Sequence, residues 1–236
     1  MGASSGIGLE VARLLRKQGW TVGVAARRIE RLSEFEVAAQ IDVTHKDAGQ
    51  QLTLLAERLG GMDLYFHASG VGKQNYELCE DIELWTMETN ATGFTRMVGT
   101  AYRYMASHGG GHIAVISSIA GTKGLGPAPA YSATKALQNT YIEALQQLAN
   151  TQQVNIRFTD LRPGFVDTDL LRPNSEGASY RYPILLNPTE VAQDMIRSIE
   201  QRRHVRIIDW RWRLITHAWQ FIPHWLWRHF KLKTRQ

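Results

Sequence analysis

Short apolar runs that end in glycine or small residues alternate along this chain with helical patterns, and that alternation constrains the fold more than any single motif does. The runs are Thr21–Ala26, Val37–Ile41, Leu64–Ala68, His112–Ser117, Asn155–Leu161 and Val205–Ile208. Helical periodicity fills most of the intervals: Ile7–Gln18, Asp47–Leu59, Ile82–Ser107, Tyr131–Asn150 and Thr189–Glu200. Strands separated by helices imply a parallel sheet covered on both faces. The expectation is an α/β fold with one doubly wound parallel sheet. A hydrophobic fraction of 44% over 236 residues is enough for a core of that size.

The chain opens on Gly2-Ala3-Ser4-Ser5-Gly6-Ile7-Gly8. Glycines at this spacing, just before an amphipathic helix, let the backbone turn tightly and approach a pyrophosphate at the positive helix end. Such a turn normally follows a central strand, yet only Met1 precedes it here. A sheet without its middle strand exposes two edges, so the reading expects a short apolar strand to be missing upstream. Ala26-Arg27-Arg28 stands at the end of the run Thr21–Ala26, where a site of this kind for NAD would place an acidic residue to receive ribose hydroxyls. Two guanidinium forks suit a 2′-phosphate instead, which favours NADP(H) over NAD(H). Asp42-Val43 is placed to meet the adenine, with a helix cap as the competing reading of Asp42.

Further along, His67-Ala68-Ser69-Gly70 ends a strand with small residues that permit close approach of a cofactor; a lone His67 there is more often structural than catalytic. Asn90 interrupts a long helical pattern, where it either caps a kink or holds a water. Ser118 stands at a strand's C-terminal end, where open α/β sheets bind ligands. Tyr131 and Lys135 fall one turn apart on a helix, so the ammonium is expected to lower the phenol's pKa. A phenol so tuned is a proton donor and acceptor. Pro163-Gly164-Phe165-Val166-Asp167-Thr168 reads as another ligand-facing turn. The segment from Phe165 to Pro188, with Leu170, Leu171, Tyr180, Tyr182, Ile184, Leu185 and Leu186, reads either as a lid over an apolar pocket or as irregular packing.

The end of the chain differs in kind. Arg206, Arg211, Arg213, Arg228, Lys231, Lys233 and Arg235 face one acid there, Asp209, so the net charge of +5 belongs to this stretch. The core is accordingly not read as a nucleic-acid binder. Trp210, Trp212, Trp219, Trp225 and Trp227 cluster in the same stretch, and Ile215, Trp219, Ile222 and Leu226 suggest a helical stripe. Leu214 to Trp227 lacks formal charge but is too short and polar to span a bilayer. Peripheral membrane contact, a subunit interface or a roof over the pocket all suit it. The division expected is a cofactor-binding and catalytic domain over 1–208 and an amphipathic tail over 209–236. Cys79 is the only cysteine, which argues against a cysteine-based metal site and fits a reducing, cytoplasmic setting.

Taken in order, Gly2-x-x-x-Gly6-x-Gly8, Asp42-Val43, Asn90, Ser118, Tyr131-x-x-x-Lys135 and Pro163-Gly164 with Val166 and Thr168 resemble the short-chain dehydrogenase/reductase family, in its branch of about 250 residues. The resemblance implies a Rossmann-type sheet and an enzyme interconverting a carbonyl and an alcohol on a small, apolar substrate. It implies catalytic Asn90, Ser118, Tyr131 and Lys135, with Tyr131 as acid or base, Ser118 on the substrate oxygen, and Asn90 anchoring a water that relays protons toward Lys135. The cofactor contacts implied are Gly2, Ser4, Ser5, Gly6, Ile7, Gly8, Arg27, Arg28, Asp42, Val43, Ala68, Ser69, Gly70, Tyr131, Lys135, Pro163, Gly164, Val166 and Thr168, with no metal. A homodimer or homotetramer is expected. Two departures stand out: Met1 where the family usually has Thr, and His67-Ala68-Ser69-Gly70 in place of Asn-Asn-Ala-Gly. A non-catalytic, cofactor-sensing protein on the same fold is the alternative; such proteins typically lose the tyrosine or lysine kept here.

Overall fold

The computed structural model describes residues 1–171 and 182–230. Helix α1 (Gly6–Lys17) leads into β1 (Gly23–Ala26) and β2 (Val37–Gln40), then α2 (Ala48–Arg58) and β3 (Leu64–His67). Helix α3 (Glu80–Met87) runs through a π-helical turn, Glu88–Gly93, into α4 (Phe94–Ser107). Strand β4 (Gly111–Ile116), the long α5 (Pro129–Gln152) and β5 (Ile156–Arg162) follow. After them come β6 (Phe165–Val166), β7 (Leu185–Leu186), α6 (Pro188–Glu200), β8 (Val205–Ile207), α7 (Trp210–Gln220) and α8 (His224–Trp227).

All strand pairs are parallel: β1 with β2, the run β3-β4-β5-β8, and the short β6 with β7. Period-two alternation sends neighbouring residues of β4 to opposite faces. Ile113 and Val115 join Phe94, Met97, Ile142 and Leu145 on one side, while Ala114 joins Leu161, Val191 and Met195 on the other. Both faces are therefore buried, as a parallel sheet requires. Side chains such as Phe94, Met97 and Phe158 are almost wholly buried, each contributing on the order of 2 kcal/mol by removal from water.

Between β1 and β3 the sheet does not close. Among the described residues neither strand has a ladder partner on that side, and a cavity of about 260 Å³ lies there, lined by Val11, Leu15, Val24, Leu52, Leu64 and Phe66 among others. This is where the expected central strand would run. Met1 and Gly2 occupy its end: Ala68 N donates to Met1 O at 2.9 Å, Gly2 N to Ala25 O at 2.7 Å, and the Met1 amine to Phe66 O at 2.9 Å. Two residues thus tie the halves of the sheet together at the edge where the glycine-rich turn begins.

Helix α7 packs on this core. Trp212 and Thr216 are buried, one turn apart on α7, and Trp212 meets Phe165 edge-to-face at 5.5 Å. The expected stripe is corrected accordingly. Ile215 is exposed because the buried face of α7 carries Trp212 and Thr216, and Leu226 is exposed on α8, which begins after Pro223, where a helix break was expected. Of the segment from Phe165 to Pro188, residues 172–181, including Tyr180, lie outside the described residues. Phe165 pairs with Leu185 in register and packs on Tyr182, the ring centroids 4.6 Å apart and the planes tilted by 38°.

Candidate active site

The ligand contacts expected from sequence gather around the C-terminal ends of β1, β3, β4 and β5. The glycine-rich turn is shaped by contact as well as by backbone conformation. Gly2 has φ +85°, and a Cβ there would stand 2.5 Å from Ser69 N; a Cβ on Gly8 would stand 2.3 Å from Gly2 O. Only glycine fits either place. Helix α1 starts at Gly6, and its cap residue Ser5 makes no side-chain bond to the helix N–H groups. No acid sits in the first turn, so that positive end is open to an anion. Arg28 lies across the turn, donating to Ser4 Oγ at 3.2 Å and Ser5 Oγ at 3.1 Å. Thr168 meets the same turn from the far side, its Cγ2 3.2 Å from where a Gly6 Cβ would lie. Asp42 accepts from Thr44 N at 3.0 Å and Thr44 Oγ1 at 2.8 Å, closing a local turn before α2 begins rather than capping that helix.

The second half of the site rests on α5. Pro129 opens the helix, where a missing N–H costs nothing. Glu83 from α3 accepts from Ala130 N at 3.0 Å and so satisfies one of its free donors. Tyr131 is half-buried, and its ring lies against Gly72, where a Cβ would come within 2.8 Å. Lys135 is buried, with Nζ 5.6 Å from the Tyr131 ring centroid, donating to Ile116 O at 3.0 Å and to Gln138 Oε1 at 2.9 Å. Ser118 is buried; its Oγ accepts from Ala120 N at 3.1 Å, donates to Pro163 O at 3.5 Å, and is near enough to Tyr131 to act on its phenol. Tyr131, Ser118 and Lys135 are thus brought together from two chain segments.

The electrostatics differ from the sequence expectation. Burial pushes the Tyr131 phenol up, and what pulls against it is the hydrogen bond from Ser118. The Lys135 ammonium lies over the ring and directs its hydrogen bonds to other acceptors. Burial in turn lowers Lys135 to about 8, opposed by the charge of Asp160. Asp160 was not singled out from sequence. It is buried, paired with Arg162 at 2.6 Å and bonded by Ser117 Oγ.

Asn90 sits in the π-helical turn, fully buried. Its carboxamide clamps the backbone of Val71 in both directions, accepting from N at 2.8 Å and donating to O at 2.7 Å. His67 is also buried: Nδ1 bonds Tyr65 OH at 2.8 Å and the ring packs on Phe94 at 5.2 Å. Its pKa falls to about 3 through burial, so it is a neutral core residue. Gln138 was missed as well. The buried stripe Thr134, Gln138, Ile142, Leu145 and Ala149 carries an amide where a core side chain is expected, and a buried amide needs partners.

With this geometry in hand, likeness to known proteins is informative. The family model described as short chain dehydrogenase matches residues 1–179. An uncharacterized oxidoreductase of Staphylococcus saprophyticus is 30% identical over 221 residues, covering 87% of this chain and 92% of that protein. A short chain dehydrogenase/reductase from Burkholderia phymatum, solved in complex with NAD, shares the fold with a TM-score of 0.77 at 21% identity, covering 92% of this chain and 89% of that one. A single-residue variant of actinorhodin polyketide ketoreductase, solved with NADPH, aligns with a TM-score of 0.73 at 28% identity, covering 88% of this chain and 93% of that one. The chain belongs to the short-chain dehydrogenase family.

Proposed function

We propose that this oxidoreductase interconverts a ketone or aldehyde and an alcohol with NADP(H), Tyr131 acting as general acid or base. The observation that carries the reading is the convergence of Tyr131, Ser118 and Lys135 beside a glycine-rich turn whose helix end is open and spanned by Arg28. Gly2, Ser4, Ser5, Gly6, Ile7 and Gly8 would cradle a pyrophosphate, and Arg28 with Arg27 would meet a 2′-phosphate. Asp42, Val43, Ala68, Ser69, Gly70, Pro163, Gly164, Val166 and Thr168 complete the contacts. When bound, the nicotinamide supplies or accepts the hydride. The burial that raises Tyr131 keeps its proton on at neutral pH, which suits reduction: the phenol donates to the oxygen that gains charge. Ser118 donates to that same oxygen, a preorganised dipole where charge develops. Lys135 holds positive charge nearby. That both Tyr131 and Lys135 are kept supports catalysis over a cofactor-sensing role. The test is NADPH and NADH fluorescence titration with turnover on a panel of ketones. Turnover with NADPH at roughly a tenfold or greater preference is expected; neither binding nor turnover would end the reading.

A second reading, a reductase of lipid-like ketones at a membrane face, is favoured by the outer side of α7 and α8. Trp210, Leu214, Phe221 and Trp225 are largely exposed there beside Arg211, Arg213 and Arg228, a pairing that suits a membrane interface. Flotation with anionic liposomes tests it; failure of the full chain to co-float removes the membrane part and leaves the chemistry untouched.

A further inference from the structure

Lys135 reaches Asn90 through a single side chain. Gln138 stands three residues after Lys135 on α5 and is fully buried. Its Oε1 accepts from Lys135 Nζ at 2.9 Å, and its Nε2 donates to Asn90 O at 2.8 Å. That carbonyl belongs to the π-helical turn Glu88–Gly93, which departs from the regular α-helical pattern between α3 and α4. The Asn90 carboxamide is committed to Val71 and to Thr134 Oγ1, to which it donates at 3.3 Å. The three groups therefore form one chain of direct bonds with the polarity of each link fixed.

We propose that Gln138 is a positioning residue of this site: its carboxamide bridges Asn90 O to Lys135 Nζ, holding the lysine as a fixed charge under Tyr131. The proposal rests on the reading of Tyr131 and Lys135 as the reacting pair. Its chemistry follows from the group itself. A hydroxyl or a water accepts and donates at one atom, and so can pass a proton along; a carboxamide accepts only at oxygen and donates only at nitrogen. An ammonium bonded to Gln138 Oε1 is fixed in place without being offered a proton path toward Asn90. The relay that the family resemblance routes through Asn90 is on this geometry occupied by a side chain. A hydrogen-bond acceptor favours the charged form of an amine, and the charge of Asp160 opposes the burial that lowers Lys135.

The experiment is an NMR titration of Lys135 in the full chain, by ¹³Cε-lysine labelling with Lys135→Arg to assign the signal, in wild type, Gln138→Leu and Gln138→Glu. Removing the acceptor in Gln138→Leu should lower the Lys135 midpoint by about one pH unit, and the carboxylate of Gln138→Glu should raise it by at least as much. The alkaline limb of the pH–rate profile should move the same way in each variant, with kcat falling more than KM rises in Gln138→Leu. Should Gln138→Leu fail to fold, the Gln138→Glu shift decides alone, since both replacements are close in volume to the native side chain and only the second keeps the acceptor. Midpoints unchanged in the folded variants would overturn the proposal. A wild type that titrates as expected but reduces no ketone would instead count against the functional reading and leave the positioning role standing.

Discussion

The pocket around Lys135 and the outer face of the C-terminal helices place their polar and apolar groups under opposite conditions. Around Lys135, Asn90, Gln138, Ser117, Ser118 and Asp160 are buried, and each has hydrogen-bond partners from other segments. On α7 and α8, Trp210, Leu214, Phe221 and Trp225 are exposed, and their neighbours are solvated arginines. Burial makes each polar atom of the first region specific, because an unpaired one costs roughly 1–3 kcal/mol. Exposure leaves the second region free of that constraint. The interior therefore dictates chemistry, and the surface is where substrate or partner choice can differ.

The largest effect should come from breaking the first region at the hydroxyl proposed to react. Tyr131→Phe removes the hydroxyl and keeps the ring that fills the space beside Gly72. Turnover should fall by about 10³-fold, within the range of a general acid, while NADPH titrates nearly as in wild type. Activity within roughly tenfold of wild type would contradict the role given to Tyr131.

Next in size is a contrast within the tail. Trp212 is buried against Gly164 and Phe165, and Trp225 is exposed. Trp212→Ala should cost about 3–5 kcal/mol, the usual range for emptying a buried aromatic site, and Trp225→Ala no more than roughly 0.5 kcal/mol. Urea denaturation of both measures the difference. Equal losses would mean that α7 and α8 form one packed unit, with no distinction between inner and outer faces.

How much of this was legible in sequence depends on what the signal was made of. Tyr131, Lys135, Ser118 and Gly2 through Gly8 were readable because each depends on local geometry: one helical turn, one strand end, one tight turn. Helix α5 and the strand runs were readable from periodicity for the same reason. The break at Glu88–Gly93 was only hinted at by Asn90, since a π-helical turn depends on what the helix packs against. Gln138 and Asp160 act through segments distant in sequence: Gln138 bonds the turn holding Asn90, and the charge of Asp160 acts on Lys135 because β5 packs under α5. Their clue was a polar residue in an apolar stripe or strand. The direction of the Tyr131 shift was missed because spacing reports which groups are near and says nothing of how much water is excluded. The stripe through Ile215 and Leu226 does not face the core because α7 turns Trp212 and Thr216 inward and Leu226 lies on a separate helix after Pro223.

A smaller effect probes the edge of the buried region. Arg28 bonds Ser4 and Ser5 at the exposed rim. Arg28→Ala should weaken NADPH binding by roughly ten- to hundred-fold, as expected for loss of a charged hydrogen bond, and change NADH binding little. An equal loss for both cofactors would assign Arg28 to holding the glycine-rich turn rather than to the 2′-phosphate.

The smallest effect concerns the pH at which the buried region loses its charge. Lys135 is lowered to about 8 by burial, against the pull of Asp160. A lysine is charged below its pKa, so reduction that needs the ammonium should hold at neutral pH and fall as pH rises through about 8. The decline should approach roughly tenfold per pH unit beyond that point. Asp160→Asn withdraws the negative charge that favours the ammonium, which leaves burial less opposed and moves the limb to lower pH. Because Asp160 also pairs with Arg162, the variant is compared at a temperature where circular dichroism finds it folded. A limb that shifts upward, or stays in place in the folded variant, would separate Asp160 from Lys135 and reduce it to a structural partner of Arg162. A downward shift joins β5 to the pair proposed to react and extends the contrast between this buried region and the exposed face of the tail.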